Sequence, residues 1–279
     1  MKKILFLATV GLSLMLSSCK SEFEKIRTGG DVDRIYEKAF AYYEAEDYQK
    51  AQALFEIIIS SYRGKKEAEE IYFKYAYTYY KLEQYILAAY YFKNFATTYG
   101  TSDLRQEAEF MSAYSNYQLS PSFRLDQQYT DQAIEGFQLF VNTYPNSERV
   151  EQCNKLIDAM RAKLELKAFE AAKLYFNLRE YQAAIQTFEN VLKDFPDTQN
   201  AEEIEYMAIR SAYLLANNSF VEKQKERFED AVERAEEFLS RYTDSRFGDE
   251  VAKMYEDSKE QLKALDNVRY QDESARVRS

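Results

Sequence analysis

The chain has 279 residues and a formal net charge of −10 at pH 7, and it contains neither histidine nor tryptophan. The absence of histidine excludes histidine-based catalytic triads and most zinc sites. The acidic balance argues against nucleic acid as a partner, because phosphate binding needs clustered cations. With only 7 glycines and 3 prolines, and with apolar residues at helical spacing nearly throughout, the sequence predicts an all-α fold.

The first 18 residues have the pattern of a signal peptide. Lys2 and Lys3 precede an apolar run, 4–16, that is too short to cross a bilayer comfortably. Leu16-Ser17-Ser18-Cys19 closes this run, and small residues before a cysteine at that place resemble the bacterial lipoprotein box. The pattern predicts a lipoprotein signal peptide over 1–18, with a conventional signal peptide and an incidental cysteine as the alternative.

A lipoprotein box would make Cys19 the acylated first residue of the mature chain, with palmitate among its acyl groups. Several acyl chains on one residue make a stable membrane anchor. Lys20 stands where inner-membrane retention favours Asp, so the outer membrane is the expected location. Residues 19–31 are expected to form a lipidated tether between the membrane and the folded domain.

A fixed spacing of 37 residues relates three stretches of the chain, which is typical of a stacked repeat protein. Each stretch has aromatic residues at i, i+4 and i+7, on one face of an α-helix. The residues are Tyr36, Phe40 and Tyr43, then Phe73, Tyr77 and Tyr80, then Phe110, Tyr114 and Tyr117.

A second pattern predicts helical hairpins. Tyr48-Ala51-Phe55-Ile58-Tyr62 recurs in identical register as Tyr85-Ala88-Phe92-Phe95-Tyr99, and three later segments repeat it more loosely. This is the tetratricopeptide pattern, and it predicts a superhelix of about five hairpins with a C-terminal capping helix. The predicted segments are repeats near 32–65, 69–101, 106–146, 165–198 and 205–244, a cap helix over 249–265, and a disordered tail over 266–279.

The nine aromatic residues with the 37-residue spacing are expected to line a peptide-binding groove. In a tetratricopeptide hairpin the first helix lines the concave side, and these rings lie one turn away from the small packing residue, Ala39 in the first repeat. Tyrosine suits a wet cleft, since it combines a broad ring with a hydroxyl that can bond to a peptide backbone. The alternative is that the rings pack in the core, as aromatic stripes at helical spacing usually do.

The sequence has no pattern that predicts an enzyme, a cofactor site or a metal site. Acidic residues are abundant, but they fall on the expected solvent faces of helices, as Glu67, Glu69 and Glu70 do. No phosphate-binding loop or nucleophile elbow is present. Once Cys19 is acylated, Cys153 is the remaining thiol, and its apolar surroundings predict a buried small side chain.

Long strings of the sequence resemble the BamD family of outer-membrane assembly lipoproteins, in its Bacteroidetes-type branch. The strings are Ala108-Glu109-Phe110-Met111-Ser112-Ala113-Tyr114, Ser120-Pro121 through Leu125-Asp126-Gln127, Phe140-Val141-Asn142-Thr143-Tyr144-Pro145-Asn146-Ser147-Glu148-Arg149-Val150 and Ala172-Lys173-Leu174-Tyr175-Phe176.

The resemblance implies a non-enzymatic subunit of the machinery that inserts β-barrels into the outer membrane. It implies that the C-terminal repeats bind the periplasmic domains of a BamA-like barrel protein, and that the N-terminal repeats receive unfolded outer-membrane proteins. It also implies a lipid anchor on the periplasmic face. Proteobacterial members place a docking arginine after an Ala-Tyr pair, whereas here Leu214 follows Ala212-Tyr213. We therefore expect Arg210 and Tyr213 to form the partner contact.

Two other classes of protein remain as alternatives. A SusD-like glycan-binding lipoprotein also carries these repeats, although such proteins are longer and usually contain tryptophan. A periplasmic tetratricopeptide scaffold for cell-envelope division is the other candidate, although such scaffolds usually begin with a coiled coil.

Overall fold

A computed structural model describes residues 21–278 of the chain, with side chains for residues 21–267. The predicted signal peptide and Cys19 lie outside the described residues. Within residues 21–278 the chain forms twelve α-helices and no strand, which confirms the all-α fold class. The chain divides into two compact units, one ending at residue 158 and one beginning at residue 159, and the short segment 122–125 belongs to the second unit.

The first unit consists of a short N-terminal helix, three hairpins of consecutive helices, and the beginning of a long helix. In each hairpin the two helices pack against each other. The helices are α1 (Glu22–Thr28), α2 (Val32–Glu44), α3 (Tyr48–Ile58), α4 (Glu67–Lys81), α5 (Tyr85–Thr98), α6 (Arg105–Leu119), α7 (Gln128–Thr143) and α8 (Val150–Asn177), the last of which continues into the second unit.

Small residues and buried phenylalanines hold each hairpin together. Ala39 and Ala51 are fully buried where α2 meets α3, so the two backbones approach closely. At the α6–α7 crossing a Cβ on Gly136 would lie only 2.8 Å from Cβ of Ala113, so this position accepts only glycine without movement. The second helices of four hairpins place a fully buried phenylalanine four residues after a buried alanine, and the fifth has the buried Ala235 there instead. The four phenylalanines are Phe55, Phe92, Phe137 and Phe188.

The segment 19–31 is predicted as a tether, but the structure places helix α1 within it. The hydroxyl of Ser21 caps this helix by accepting a hydrogen bond from the backbone N–H of Glu24, at 3.2 Å. Ile26 is buried, and the Phe23 ring packs edge-on against Tyr42 with centroids 5.9 Å apart. The first repeat has no preceding repeat to cover its packing side, and α1 covers that side instead.

The turns inside the hairpins use a left-handed residue that is not glycine. Glu46, Glu83 and Arg179 have φ angles of 59°, 58° and 64°. In the first of these turns the N–H of Glu46 bonds to the carbonyl of Tyr43, and the N–H of Asp47 bonds to the carbonyl of Tyr42. These bonds satisfy carbonyls at the end of α2, which offsets the steric cost of the left-handed residue.

A recurring hydroxyl contact joins the end of each of four repeats to its beginning. A serine or threonine three residues after the last aromatic residue of the second helix accepts a backbone N–H two residues further on. The same hydroxyl bonds to a Glu or Gln side chain of the first helix. The hydroxyl residues are Ser102, Ser147, Thr198 and Ser245, and their partners are Glu69, Gln106, Glu165 and Glu202 in that order.

The fourth repeat is predicted to begin near residue 165, but no break separates it from the preceding segment. One continuous helix, α8, runs from Val150 to Asn177. Glu165, in the middle of α8, makes the hydroxyl contact that the other repeats make near the start of a helix. Cys153 is fully buried near the beginning of α8, in the first unit.

The second unit contains the rest of α8 and four further helices, α9 (Tyr181–Asp194), α10 (Ala201–Asn217), α11 (Val221–Arg241) and α12 (Gly248–Arg278). One core cluster joins α8, α9 and α10 around Phe188, and another joins α10, α11 and α12 around Phe238. A cap helix is predicted over 249–265 with a disordered tail after it, whereas α12 continues without a break to Arg278. Among the described helices, none combines the length and apolar character required to cross a membrane.

Candidate peptide-binding face

Helices α2, α4 and α6 each carry three of the nine aromatic residues predicted to line a groove. Seven of the nine are only partly buried, and we call these seven the aromatic face. They are Tyr36, Phe40, Tyr43, Tyr77, Tyr80, Tyr114 and Tyr117.

The other two predicted groove residues, Phe73 and Phe110, are buried, so the prediction that their rings line an open groove is wrong. The Phe73 ring packs 5.1 Å from Phe95, and the Phe110 ring packs 5.8 Å from Phe137 and from Phe140. Both rings therefore fill the space between the two helices of their own hairpin. A phenylalanine has no hydroxyl to satisfy, so complete burial carries no polar cost.

In the first two hairpins, rings of the aromatic face pack against aromatic residues of the second helix. Phe40 meets Phe55 edge-on at 5.1 Å, and Tyr77 meets Phe92 edge-on at 4.9 Å. Tyr80 packs against Tyr85 at 5.4 Å. One side of Phe40, Tyr77 and Tyr80 therefore packs against the second helix, and each of these rings is only partly buried.

Contacts between successive repeats make the aromatic face continuous within the first unit. The Lys74 ammonium of α4 lies 4.3 Å from the centre of the Tyr43 ring of α2. The rings of Tyr80 on α4 and Tyr114 on α6 have centroids 6.2 Å apart. The side-chain amide of Gln118 donates to the Tyr80 hydroxyl at 3.4 Å.

A carboxylate that sequence reasoning missed organises the third repeat of this face. Glu107 accepts a hydrogen bond from the Tyr77 hydroxyl at 2.8 Å and two from Nη2 of Arg149, at 2.8 and 2.7 Å. The Arg149 guanidinium also lies 4.0 Å from the centre of the Phe110 ring. The 37-residue spacing contains the signal, because Asp33, Glu70 and Glu107 each stand three residues before the first aromatic residue of a triplet.

Burial raises the pKa of two phenols of this face, those of Tyr43 and Tyr77. It raises the pKa of Tyr43 to about 12, with smaller contributions from Tyr48 and Glu44. It also raises the pKa of Tyr77, and the hydrogen bond to Glu107 raises this pKa further. A protonated phenol can donate a hydrogen bond to a carbonyl oxygen, which an extended peptide offers at every residue.

The two predicted partner-binding residues lie on α10 in the second unit, and they differ in exposure. Arg210 is exposed, with its guanidinium 5.4 Å from the centre of the Phe176 ring and Nη1 3.4 Å from the Tyr206 hydroxyl. Tyr213 is partly buried against α12, and its hydroxyl donates to Asp257 at 3.3 Å. Tyr213 thus contributes mainly to packing between α10 and α12.

Within the described part of the chain, no three Asp, Glu, Cys or His side chains come together in a group that could hold a metal ion. The chemistry available to the aromatic face is aromatic contact, hydrogen bonding by phenols, and charge from Lys74, Glu107 and Arg149.

Solved structures similar to this chain contain tetratricopeptide-like repeats. The TPR2AB domain of yeast Sti1, solved in complex with an HSP90 peptide, is 12% identical, covers 83% of this chain and 99% of that domain, and has a TM-score of 0.39. A kinesin light chain protein with TPR-like repeats from Podospora anserina is 14% identical, covers 77% of this chain and 97% of that protein, and has a TM-score of 0.33. These scores are too low to support any conclusion about function.

The family comparison is more specific. The family model YfiO, described as outer membrane lipoprotein, matches residues 29–213, which is more than half of the chain. The match includes all of α2 to α9 and therefore the whole aromatic face. The resemblance to BamD-like proteins is confirmed at the level of this family. The chain belongs to the YfiO family of outer membrane lipoproteins.

Proposed function

We propose that this chain is a non-enzymatic subunit of the β-barrel assembly machinery of the outer membrane, and that its aromatic face receives segments of unfolded barrel proteins. The observation that carries the proposal is the row of partly exposed rings on α2, α4 and α6, held in one continuous surface within the first unit. Membership of an outer membrane lipoprotein family supports the cellular setting.

The chemistry of the aromatic face suits an extended peptide that carries aromatic side chains. Rings supported from behind lose little conformational freedom on binding, so contact with a client ring costs little entropy. The phenols of Tyr80, Tyr114 and Tyr117 can donate to the carbonyl groups of the client backbone. Strands of barrel proteins alternate apolar and polar side chains, and such a peptide presents every second side chain to one surface.

A peptide titration tests this assignment. The probe is a labelled peptide that copies the C-terminal strand of an outer-membrane barrel protein and ends in phenylalanine, and the full chain is titrated into it. Tyr80→Ala with Tyr114→Ala should weaken binding about tenfold or more, since central aromatic residues dominate such interfaces. Tyr175→Ala is the matched control, because Tyr175 is an exposed tyrosine of the second unit.

Two results would contradict the proposal. Unchanged affinity in the double variant would mean that the peptide binds elsewhere. A loss of about 3–5 kcal/mol of stability per ring would mean that these rings are core residues and not a binding surface. Thermal melts of the same samples, followed by circular dichroism, distinguish a binding defect from unfolding.

We also propose that the second unit binds the periplasmic domains of a BamA-like barrel protein, with Arg210 as one contact. An exposed arginine beside an aromatic ring, as Arg210 is beside Phe176, is a common anchor of protein interfaces. Arg210→Glu should abolish co-purification with the barrel protein and leave peptide affinity unchanged. Arg161→Glu, at another exposed position of this unit, is the control.

The identity of the co-purified partner also decides between the proposed function and its alternative. A barrel protein with periplasmic domains supports the assembly function. A TonB-dependent sugar transporter would instead support a SusD-like glycan-binding function. If co-purification survives Arg210→Glu, the contact lies elsewhere on the chain.

Anchoring through Cys19 completes the proposal. The protein should fractionate with membranes and incorporate labelled palmitate, and Cys19→Ala should abolish both. A chain that remains unlabelled with Cys19 intact would contradict the anchor without affecting the peptide-binding assignment.

A further inference from the structure

A second groove lies in the first unit, away from the aromatic face. Helices α5 and α7 form its walls and α6 its floor, and they enclose a cavity of about 880 Å³. Ser112, Ala113 and Asn116 line the floor. Three large apolar side chains line the walls and remain exposed, Ile86 at 58%, Tyr90 at 56% and Leu139 at 63%.

The equivalent junction one repeat earlier is filled by tyrosines of the chain itself. The Tyr75 and Tyr79 hydroxyls of α4 are hydrogen-bonded at 2.7 Å. Tyr91 of α5 stacks on Tyr79 with centroids 4.7 Å apart and an interplanar angle of 15°, and its centroid lies 5.0 Å from that of Tyr75. Tyr75 and Tyr79 are buried, so this cluster closes the space that lies outside α4.

The second groove is open because each of these three tyrosines is replaced by a small residue. Thirty-seven residues after Tyr75 and Tyr79 stand Ser112 and Asn116. The residue of α7 that corresponds to Tyr91, immediately before the buried phenylalanine of the second helix, is Gly136. The two junctions therefore consist of corresponding helices in the same register, and three rings of the preceding junction are missing from this one.

The charges around the second groove cancel. Its lining residues include two basic side chains, Lys93 and Arg105, and two acidic ones, Glu109 and Glu135. Arg105 forms an ion pair with Glu109 at 2.8 Å. The chain as a whole carries a net charge of −10, so this neutral surface is a local feature. A neutral surface with an apolar rim favours an uncharged partner segment over a basic or acidic one.

We propose that this groove binds an uncharged segment of a partner protein that presents two neighbouring aromatic side chains. The two rings would occupy the space that Tyr75, Tyr79 and Tyr91 fill at the preceding junction. The Asn116 amide lies in the groove and can bond to a phenol hydroxyl. The exposed rim residues Ile86 and Leu139 would cover the partner segment on both sides.

The test uses the full chain and a dye-labelled peptide, acetyl-Ser-Tyr-Gly-Tyr-Ser-amide, with fluorescence anisotropy as the readout. A peptide with serine at both tyrosine positions is the matched probe. The tyrosine peptide should bind at least about tenfold more tightly than the serine peptide, because the rings provide the buried apolar area. Equal affinity of the two peptides would overturn the proposal.

Two variants locate the binding. Ser112→Tyr with Asn116→Tyr restores the rings of the preceding junction and should reduce peptide affinity about tenfold or more while the helical signal is retained. Leu139→Glu changes an exposed rim residue and should produce a similar loss of affinity. This variant serves as the test if the double variant does not fold. Retained affinity in Leu139→Glu or in a folded double variant would overturn the proposal.

Binding in the second groove is also distinguishable from binding to the aromatic face and from self-association. Tyr80→Ala with Tyr114→Ala on the aromatic face should leave affinity for the short peptide unchanged, so failure here is distinct from failure of the proposed function. If only the aromatic-face variant binds the short peptide more weakly, the proposal is overturned. The proposal is also overturned if the chain forms a concentration-dependent dimer that Leu139→Glu dissociates, since the groove would then bind a second copy.

Discussion

Arg149 and Glu107 form a two-point ion pair across 42 residues of sequence, with Nη2 of Arg149 at 2.8 and 2.7 Å from the two carboxylate oxygens. The pair joins the first turn of α6 to the residue just before α8. It also fixes the carboxylate that accepts the Tyr77 hydroxyl of the preceding repeat. One carboxylate therefore connects the second and third hairpins of the first unit and the start of α8.

A double-mutant cycle on this pair should give measurable coupling. Both side chains are about one-third exposed, so solvent screens the pair, but the bonds to both carboxylate oxygens and the position of Arg149 over Phe110 restrict its geometry. We expect a coupling energy of about 1 kcal/mol between Glu107→Ala and Arg149→Ala in urea unfolding. Additive losses would mean that the pair contributes nothing beyond its separate contacts.

Stability should fall above the ordinary pKa of tyrosine. Tyr43 has a pKa of about 12 in the folded chain against 10.0 for an unperturbed phenol, so between these values the unfolded state releases a proton that the folded state keeps. The free energy of unfolding is therefore full below pH 10.0 and decreases as pH rises toward about 12. The urea concentration at the unfolding midpoint should decrease less steeply with pH for Tyr43→Phe than for the unaltered chain. Equal slopes for the two chains would contradict the raised pKa of Tyr43.

Cys153 should be inert in the folded chain. Burial raises the pKa of its thiol to about 11, and the residue is fully buried on α8. In a Cys19→Ala background, labelling by iodoacetamide near neutral pH should be at least about a hundredfold slower than in denaturant, because the thiolate is the reactive form. Rapid labelling of the folded chain would mean that the start of α8 opens readily.

Glycine at a left-handed turn position should stabilise the chain. Glu83 is exposed and has a φ of 58°, a conformation that is costly for any residue with a Cβ. We expect Glu83→Gly to raise the free energy of unfolding by about 0.5–1 kcal/mol, since relief of this strain exceeds the added entropy of the unfolded chain. Glu233→Gly, at an exposed position in the middle of α11, is the control and should destabilise by about 1 kcal/mol.

The hairpins were predictable because they depend on local patterns. Alanine at the crossing points and phenylalanine four residues later recur along the sequence, and the structure buries both kinds of residue. The location of the aromatic face also follows from periodicity. The burial of Phe73 and Phe110 does not, because helical periodicity specifies the side of a helix but not how far each ring turns toward its own hairpin.

Other features depend on residues that are distant in sequence. Helix α1 forms over a segment of ordinary composition because Phe23 and Ile26 find an uncovered packing side on the first repeat. The continuity of α8 could not be inferred either. The repeat pattern predicts a new repeat near residue 165, and the sequence has no local signal that decides between a break and one long helix there. The contact between Arg149 and Glu107 was detectable only by aligning the acidic residues at positions 33, 70 and 107.

The position of α1 bears on the distance between the chain and the membrane. Helix α1 begins at Glu22, three positions after Cys19, and even a fully extended chain spans only about 10 Å over that length. An acylated Cys19 would therefore hold α1, and the first repeat on which α1 packs, directly against the lipid headgroups. Diffusion of that repeat would then follow the membrane plane, and under the proposed function its rings would meet unfolded segments close to the bilayer.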